Sequence, residues 1–225
     1  MGVKYAVNET FFDSWSHEMA YCLGFWYADG SVEYAPEMRG KYIRAACTDK
    51  TVIEAIKMML SSEHRIVVTK KGGNYKPFYL LRIGSAPLFR QLQTLGVTER
   101  KSRTIKFPEV PDSYLSDFIR GYFDGDGCVY IEKDNNRNMK RLSTIFTCGN
   151  ENFLTDLQVL LHQHALTTSD NKIHMTKGGF SGAYQLRYST RDSLRLYNFL
   201  YPKALQKHLY LERKRKTFLE YKIEK

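Results

Sequence analysis

Two segments of this 225-residue chain repeat one pattern of residue types. Residues 17–34 read HEMAYCLGFWYADGSVEY and residues 114–131 read YLSDFIRGYFDGDGCVYI, which aligns Asp29 with Asp126. Three more pairs of similar segments follow in the same order along the chain: 47–60 with 148–161, 76–92 with 182–200, and 99–104 with 212–217. Four matches in one order indicate a duplicated unit, so the chain is expected to fold as two similar repeats.

Each repeat has the same predicted order of elements. A helix ends at the Asp-Gly pair, two strands follow, and the next helix begins after a residue suited to N-capping, Asp49 or Asn150. Two more strands, joined by a glycine-containing loop, and a last helix complete the unit. The predicted strand pairs are 31–35 with 41–48, 64–70 with 77–84, 128–134 with 139–148, and 171–176 with 183–189. The fold class is therefore α+β, with two pseudo-symmetric α-β-β-α-β-β-α repeats and antiparallel strands.

The same pattern predicts the boundaries of the domains. The first repeat is expected to cover 1–96 and the second 114–203. Residues 97–113 contain two prolines and a basic run, which is typical of a linker. Residues 204–225 are predicted to form a basic C-terminal helix.

The charge balance indicates the kind of partner. Lys and Arg number 34 against 24 Asp and Glu, which gives a formal net charge of +10. An excess of this size favours a polyanion, nucleic acid before an anionic membrane surface. No apolar stretch approaches the roughly 18 residues expected of a membrane span, so a membrane partner is not expected.

The cysteines indicate the cellular compartment. Cys22, Cys47, Cys128 and Cys148 form no C-x-x-C pair, and each lies in an apolar or strand-like stretch. Four buried, reduced thiols are the expected arrangement, in preference to zinc ligands or disulfides. The N-terminal segment lacks the apolar core of a signal peptide. The protein is therefore expected inside the cell, in the cytoplasm or an organelle matrix, and not secreted.

The two Asp-Gly motifs suggest more than turns. Each preceding helix carries two small residues four apart on one face: Gly24 and Ala28 in the first copy, Gly121 and Gly125 in the second. Such stripes let two helix backbones approach closely, which would bring Asp29 and Asp126 side by side. Carboxylates repel each other there, and a helix C-terminus disfavours negative charge. Divalent cations would resolve the conflict, and bound metal on a basic protein suggests phosphodiester hydrolysis. An EF-hand is not expected, because position twelve counted from Asp124 is Asn135 and not Glu.

The residues CLGFWYADG (22–30) and IRGYFDGDG (119–127) resemble the nine-residue signature of the LAGLIDADG homing endonucleases. Two copies in one chain resemble the monomeric, two-motif branch of that family, and the resemblance covers nearly the whole chain. It implies two repeats packed through the motif helices, each with an antiparallel β-saddle for DNA. The first copy departs from the consensus at Cys22, Phe25, Trp26 and Tyr27. The eighth position is Asp in both copies, which favours an active enzyme.

The resemblance also implies roles for particular residues. Metal would be held by Asp29 and Asp126 and by the carbonyl groups of Ala28 and Gly125. Asp49 and Asn150 would position metal-bound water, with helix capping as the alternative. Lys101 and Lys214 would lie near the scissile phosphates, with a solvated basic stretch as the alternative. The predicted catalytic residues are therefore Asp29, Asp126, Asp49, Asn150, Lys101 and Lys214.

The outward-facing strand residues are the predicted DNA-reading surface. Alternation turns Ile43, Ala45 and Cys47 toward the core and leaves Arg44 outward. Arg and Gln pair with guanine and adenine edges in the major groove, and lysines at hairpin tips favour phosphate contacts. The predicted DNA-binding residues are Tyr42, Arg44, Thr48, Lys70, Lys71, Arg82, Arg141, Ser143, Thr147, Lys177, Gln185 and Arg187.

The resemblance implies a specific biochemical function. The chain would be an intron-encoded, monomeric nuclease that uses Mg²⁺ to make site-specific double-strand breaks with short 3′ overhangs. Mn²⁺ would substitute for Mg²⁺, and Ca²⁺ would support binding without cleavage. The partner would be double-stranded DNA with a long target site. The alternatives are a maturase that binds host intron RNA and a catalytically inactive DNA-binding regulator on the same fold.

Overall fold

The computed structural model describes residues 5–38, 40–70, 76–134, 139–164, 167–168, 170–176, 182–201 and 209–223. Within them lie seven α-helices, eight strands and two short 3-10 helices, Pro36–Met38 and Lys101–Arg103. In chain order the helices and strands are α1 (His17–Ala28), β1 (Gly30–Ala35), β2 (Gly40–Cys47), α2 (Lys50–Met59), β3 (Ile66–Thr69), β4 (Phe78–Gly84), α3 (Ala86–Thr94), α4 (Asp112–Asp126), β5 (Gly127–Asp134), β6 (Met139–Cys148), α5 (Glu151–Gln163), β7 (His174–Met175), β8 (Tyr184–Tyr188), α6 (Thr190–Leu200) and α7 (Glu212–Ile223).

The strands form two four-stranded sheets with the same topology. The order is β1-β2-β4-β3 in the first sheet and β5-β6-β8-β7 in the second, and every pair of neighbours is antiparallel. The predicted α+β class with two α-β-β-α-β-β-α repeats is confirmed. The largest difference is β7, which covers only His174–Met175 of the predicted 171–176.

The chain divides into two compact units. The first contains Met1–Lys101 and Val110–Gly125, and the second contains Ser102–Glu109 and Asp126–Lys225. Helix α4, the first helix of the second repeat, therefore belongs to the first unit up to Gly125. The two compact units therefore do not coincide with the two sequence repeats. The boundaries 1–96, 97–113, 114–203 and 204–225 remain a prediction.

One face of each sheet is covered by helices. Helices α2 and α3 pack on the first sheet, and α5, α6 and α7 pack on the second. The residues predicted to face inward are buried, for example Ile43 and Ala45 in β2 and Leu142 and Phe146 in β6. Because side chains alternate along a strand, the intervening residues lie on the opposite face of each sheet.

Helix α1 is buried almost all round. Every residue from Met19 to Tyr27 is buried, which explains why the sequence of the helix lacks a polar face. Its start is fixed by Ser16, whose hydroxyl accepts a hydrogen bond from the Met19 backbone N–H at 3.1 Å.

Helix α4 packs against α1 within the first unit through two reciprocal glycine contacts. A Cβ added at Gly24 would overlap the Phe118 carbonyl oxygen, and a Cβ added at Gly121 would overlap the Tyr21 carbonyl oxygen. The helix backbones therefore touch where each sequence copy has its glycine. The predicted packing of the motif helices through their small residues is observed.

Several polar side chains, all of them buried except the exposed His17, form hydrogen bonds between and along the same two helices. Arg120, fully buried, donates from Nη2 to Asp117 Oδ1 at 2.5 Å. Asp117 Oδ2 lies 2.7 Å from His17 Nδ1, and Tyr21 donates to Asp124 Oδ2 at 2.9 Å. Each buried carboxylate thus has a hydrogen-bonding partner, as buried charge requires.

One expectation about the cysteines is wrong. None of the four, all within the described residues, forms a disulfide, and Cys22, Cys47 and Cys148 are buried as predicted. Cys128 is exposed. It is paired with Ile145 and lies on the helix-free face of the second sheet, because alternation along β5 turns it away from the core.

No helix within the described ranges is both long and apolar enough to cross a membrane.

Candidate functional site

The two motif aspartates occupy equivalent places at the ends of helices. Asp29 is the C-cap residue of α1, and its backbone N–H donates to the Phe25 carbonyl at 2.9 Å. Asp126 is the last residue of α4. Both residues are exposed. A negative charge at the C-terminal end of a helix is unfavourable with respect to the helix dipole.

The last turn of α4 meets the end of α1 inside the first unit. A Cβ added at Gly125 would overlap the Cβ of Ala28 and lie 3.3 Å from the backbone nitrogen of Asp29. The absence of a side chain at Gly125 therefore allows this close approach to Asp29. Asp126 follows Gly125 directly in the chain.

Each motif aspartate is followed by a glycine whose carbonyl holds a buried lysine. In the first unit, Lys101 Nζ donates to the Gly30 carbonyl at 2.6 Å and to the Ala28 carbonyl at 3.1 Å. In the second unit, Lys214 Nζ donates to the Gly127 carbonyl at 2.5 Å. The two lysines are 7% and 3% exposed. The alternative expectation of a solvated basic stretch is therefore wrong for these two side chains.

The two residues predicted to position water differ in their contacts. Asn150 caps α5 by accepting from the Asn152 N–H at 3.1 Å, and its amide nitrogen donates to the Ile105 carbonyl at 2.8 Å. Asp49 occupies the N-cap position of α2, but its side chain accepts no capping hydrogen bond. The capping alternative is therefore observed for Asn150 and not for Asp49.

The sixth position of the motif differs between the copies, and each residue is buried. Tyr27, which replaces the consensus Asp, donates to the Leu95 carbonyl at 2.6 Å and so ties α1 to the end of α3. Asp124 instead accepts from Tyr21. Burial, together with the Asp124 carboxylate, holds the pKa of Tyr21 well above its usual range, so the phenol stays a hydrogen-bond donor. The residue at this position packs within the first unit in both copies.

The donor atoms at the helix ends suit a hard cation. Carboxylate and backbone carbonyl oxygens, completed by water, are the ligands that Mg²⁺ and Ca²⁺ prefer. Among the described residues, no group of three or more His, Cys, Asp or Glu side chains has the spacing of a metal site. Asp29 and Asp126 have carboxylate oxygens, and Ala28 and Gly125 have backbone carbonyl oxygens, each of which is a donor suited to such a cation. In the first unit the Lys101 ammonium lies at the Ala28 carbonyl.

On the face of the first sheet opposite the helices, Arg82 is held by hydrogen bonds to a neighbouring carboxylate. Arg82 donates from Nε and Nη2 to the two carboxylate oxygens of Glu33, at 3.2 and 3.1 Å. Its guanidinium carbon lies 3.6 Å from the ring centroid of Tyr42. Arg44 approaches the same Glu33 carboxylate at 3.5 Å. All four residues come from three neighbouring strands, β1, β2 and β4.

On the corresponding face of the second sheet, the arginine and the glutamate lie farther apart. Arg187 lies 3.8 Å from Glu132, and its side chain is 53% exposed. Its guanidinium carbon is 5.9 Å from the ring centroid of Tyr130. Ser143 shares this face but is only 6% exposed, opposite Tyr130 in the sheet. Ser143 is thus less accessible than its predicted contact with DNA requires.

The other predicted contact residues have these places. Arg141 is exposed on β6, Thr147 and Gln185 are paired across β6 and β8, and Thr48 and Lys70 are exposed just beyond β2 and β3. Lys71 and Lys177 lie outside the described residues. Sequence reasoning missed Glu33, although alternation along β1 would have placed it on the same face as Arg44.

The family model described as LAGLIDADG-like domain matches the chain twice, over residues 16–96 and 113–200. The two matches correspond to the two sequence repeats and contain both motif helices. The predicted resemblance is confirmed.

Two curated proteins of the archaeon Methanocaldococcus jannaschii are similar in sequence. The probable translation initiation factor IF-2 is 25% identical over 185 residues, and the reverse gyrase is 26% identical over 158 residues. The matches cover 78% and 70% of this chain but only 14% and 9% of those two proteins. The chain therefore spans a small part of the length of either relative.

Solved structures of homing endonucleases share the fold. I-GzeII in complex with its DNA target matches with a TM-score of 0.59 at 11% identity, over 93% of this chain and 89% of that one. I-DmoI in complex with DNA and Ca matches with a TM-score of 0.52 at 18% identity, over 95% and 99%. A variant of I-DmoI with nicked target DNA and Mn matches with a TM-score of 0.53 at 17% identity, over 87% and 98%.

Proposed function

The chain belongs to the LAGLIDADG-like domain family, and from that premise we propose that it is a site-specific, metal-dependent DNA endonuclease. It would cut both strands of a long target site and leave short 3′ overhangs. The observation that carries the proposal is the duplicated helix end: an exposed aspartate, followed by a glycine whose carbonyl binds a buried lysine, occurs in both copies.

The lysines make a purely structural reason for this arrangement insufficient. A buried ammonium is costly unless it is paired, and a helix C-terminus can be completed by backbone groups alone. An ammonium bound to the carbonyl directly after each motif aspartate can stabilise negative charge that develops on a phosphate or on a leaving oxygen. Both copies retain this feature, which supports one reacting centre for each strand.

Mg²⁺ is the proposed cofactor, with Mn²⁺ as a substitute and Ca²⁺ as an ion that supports binding alone. Asp29, Asp126 and the carbonyl groups of Ala28 and Gly125 would hold it. A bound divalent ion would lower the pKa of water and stabilise the leaving oxygen. The similar structures solved with Ca and with Mn support divalent metal use in the fold.

The proposed partner is double-stranded DNA, bound along the helix-free faces of the two sheets. The net charge of +10 supports a polyanionic partner, and similar structures contain DNA targets. Two repeats in one chain would supply both active centres, so a monomer suffices. An enzyme that acts on DNA would work inside the cell, and intron encoding remains part of the proposal.

The experiment that tests this function begins with a randomised duplex pool enriched by binding in Ca²⁺. The enriched duplexes are then incubated with the protein in Mg²⁺, and the ends of the products are mapped. We expect staggered double-strand cuts at one defined position, dependent on Mg²⁺ or Mn²⁺. Tight, sequence-specific binding without cleavage would overturn the endonuclease and favour a regulator. Preferential binding of structured RNA would favour a maturase.

Lys214 offers a separate prediction for the buried lysines. Replacing Lys214 by Met keeps most of the side-chain volume but removes the ammonium that binds the Gly127 carbonyl. We expect cleavage to fall by about tenfold or more, while DNA affinity in Ca²⁺ changes by less than about threefold. Loss of one buried hydrogen bond should lower the free energy of unfolding by about 1–3 kcal/mol.

The matched control is Lys216→Met on the same helix. The Lys216 side chain is 68% exposed and lies 3.9 Å from Glu220, so this change also removes one positive charge. We expect the control to cleave like the wild type. Single-turnover cleavage and urea unfolding measure both variants. If the two substitutions reduce cleavage and stability equally, Lys214 contributes only its positive charge.

A further inference from the structure

We propose that Glu33 is a positioning residue for DNA recognition, holding Arg82 so that it reads a guanine in the major groove. This inference rests on the proposed function, since it assumes that the helix-free face of the first sheet meets DNA. Glu33 lies on β1 and Arg82 on β4, with β2 between them. The two hydrogen bonds of 3.2 and 3.1 Å from Nε and Nη2 form a side-on, bidentate pair.

The ring of Tyr42 completes the support. Tyr42 is the partner of both Glu33 and Gly84 in the sheet. A Cβ at Gly84 would lie 3.2 Å from the Tyr42 ring, and a Cβ at Gly40 would overlap it. These two glycines leave room for the ring, on which the Arg82 guanidinium stacks at 3.6 Å. Arg82 is therefore fixed by a flat surface below and a carboxylate at its side.

The unused donors of Arg82 define what it can bind. A guanidinium has five N–H groups, and Glu33 accepts from the Nε group and from one on Nη2. The remaining groups include the end-on pair formed by Nη1 and Nη2. Guanine presents two acceptors, O6 and N7, in the major groove, and Arg is its usual bidentate partner. An arginine held from the side thus remains competent to read guanine and is already fixed before binding, which reduces the entropy lost on association.

A carboxylate on a surface that faces DNA needs an explanation, because it repels phosphates. Glu33 also lies 3.5 Å from Arg44, so one acid partly neutralises two basic residues of the predicted reading surface. Such a residue weakens non-specific attraction and restricts which bases are accepted. Glu33 therefore trades general affinity for discrimination at one base pair.

The second sheet provides the comparison within the same chain. The Arg187–Glu132 pair has the same residue types, but its closest atoms are 3.8 Å apart and Arg187 is 53% exposed. That distance is too long for a hydrogen bond. The carboxylate of Glu132 therefore does not fix Arg187 as Glu33 fixes Arg82.

The experiment compares the base preferences of four proteins: wild type, Glu33→Gln, Arg82→Lys and Glu132→Gln. Each is used to enrich the same randomised duplex pool in Ca²⁺, and preferences are read position by position from sequencing. In the wild-type site we expect one position with a preference for guanine that Arg82→Lys reduces by about tenfold or more. Glu33→Gln should reduce the preference for guanine at the same position by about threefold to tenfold. It should also strengthen binding to random duplexes. Glu132→Gln should leave that guanine unchanged.

The outcomes separate this inference from the function on which it rests. If the wild type enriches no motif, sequence-specific DNA binding fails, and this inference fails with it. If the wild type enriches a motif but Glu33→Gln retains every base preference, only the role of Glu33 is overturned. Relaxation of different positions by Glu33→Gln and Arg82→Lys would also overturn it. Glu33→Gln still tests the inference if it lowers the unfolding midpoint. A general loss of structure would weaken the base preferences at many positions, whereas loss of the Glu33 contact should weaken only the preference for the guanine read by Arg82.

Discussion

Replacing Asp126 by Asn is expected to reduce double-strand cleavage by about a hundredfold or more while DNA binding in Ca²⁺ is retained. The amide keeps the shape of the side chain but removes its negative charge and one metal-binding oxygen. Asp29→Asn should have an effect of the same order, since the two residues occupy equivalent helix ends. Supercoiled plasmid carrying the selected site is the substrate that measures both, because nicked and linear products separate on a gel.

The stability of these variants is part of the prediction. Both carboxylates are exposed at helix C-termini, where the backbone dipole disfavours negative charge by about 0.3–1 kcal/mol. We expect each variant to remain folded under the conditions of the cleavage assay, which urea unfolding checks. A residue that lowers activity when changed, but does not contribute to stability, is retained for function.

Asp156→Asn is the matched control, because Asp156 is an exposed acid on α5 and outside the motifs. It should cleave at the wild-type rate. Wild-type rates in both motif variants would exclude the motif aspartates from the reaction. Nicked circles as the main remaining product of one variant would support one aspartate for each strand.

The duplication is the reason that most of the fold could be predicted from the sequence. Two copies of each strand pair gave two chances to locate it, and all eight predicted strands are observed. The edge strand β7 is shorter than predicted, and it has a hydrogen-bonded neighbouring strand on one side only. Strand propensity therefore had little support from neighbours there, and only His174–Met175 form a strand.

The site could be predicted only in part, because its decisive contacts join distant parts of the chain. The motif marked Asp29 and Asp126, but nothing near Lys101 in the sequence indicates that its ammonium reaches the carbonyls of Ala28 and Gly30. The bidentate pair of Glu33 and Arg82 likewise depends on sheet register, 49 residues apart. Alternation predicts the face of a side chain, whereas its partner is fixed only by the neighbouring strands.

Replacing Gly121 by Ala is expected to destabilise the first unit by about 3 kcal/mol or more. At an exposed helical site the same change stabilises by roughly 1 kcal/mol, because alanine is the better helix former. The opposite sign is expected here because the new Cβ would overlap the Tyr21 carbonyl oxygen. Backbone cannot rotate away as a side chain can, so α1 and α4 must separate.

Gly24→Ala should behave alike, since its Cβ would overlap the Phe118 carbonyl oxygen. Urea unfolding followed by circular dichroism measures both variants, with Ser113→Ala on the exposed first turn of α4 as the control. The control should lie within about 0.5 kcal/mol of the wild type. A stabilising effect at either glycine would mean that the helix backbones are not in contact in solution. If both glycines destabilise, the duplicated motif has two separate tasks: glycine joins the helices, and the aspartate that follows supplies the chemistry.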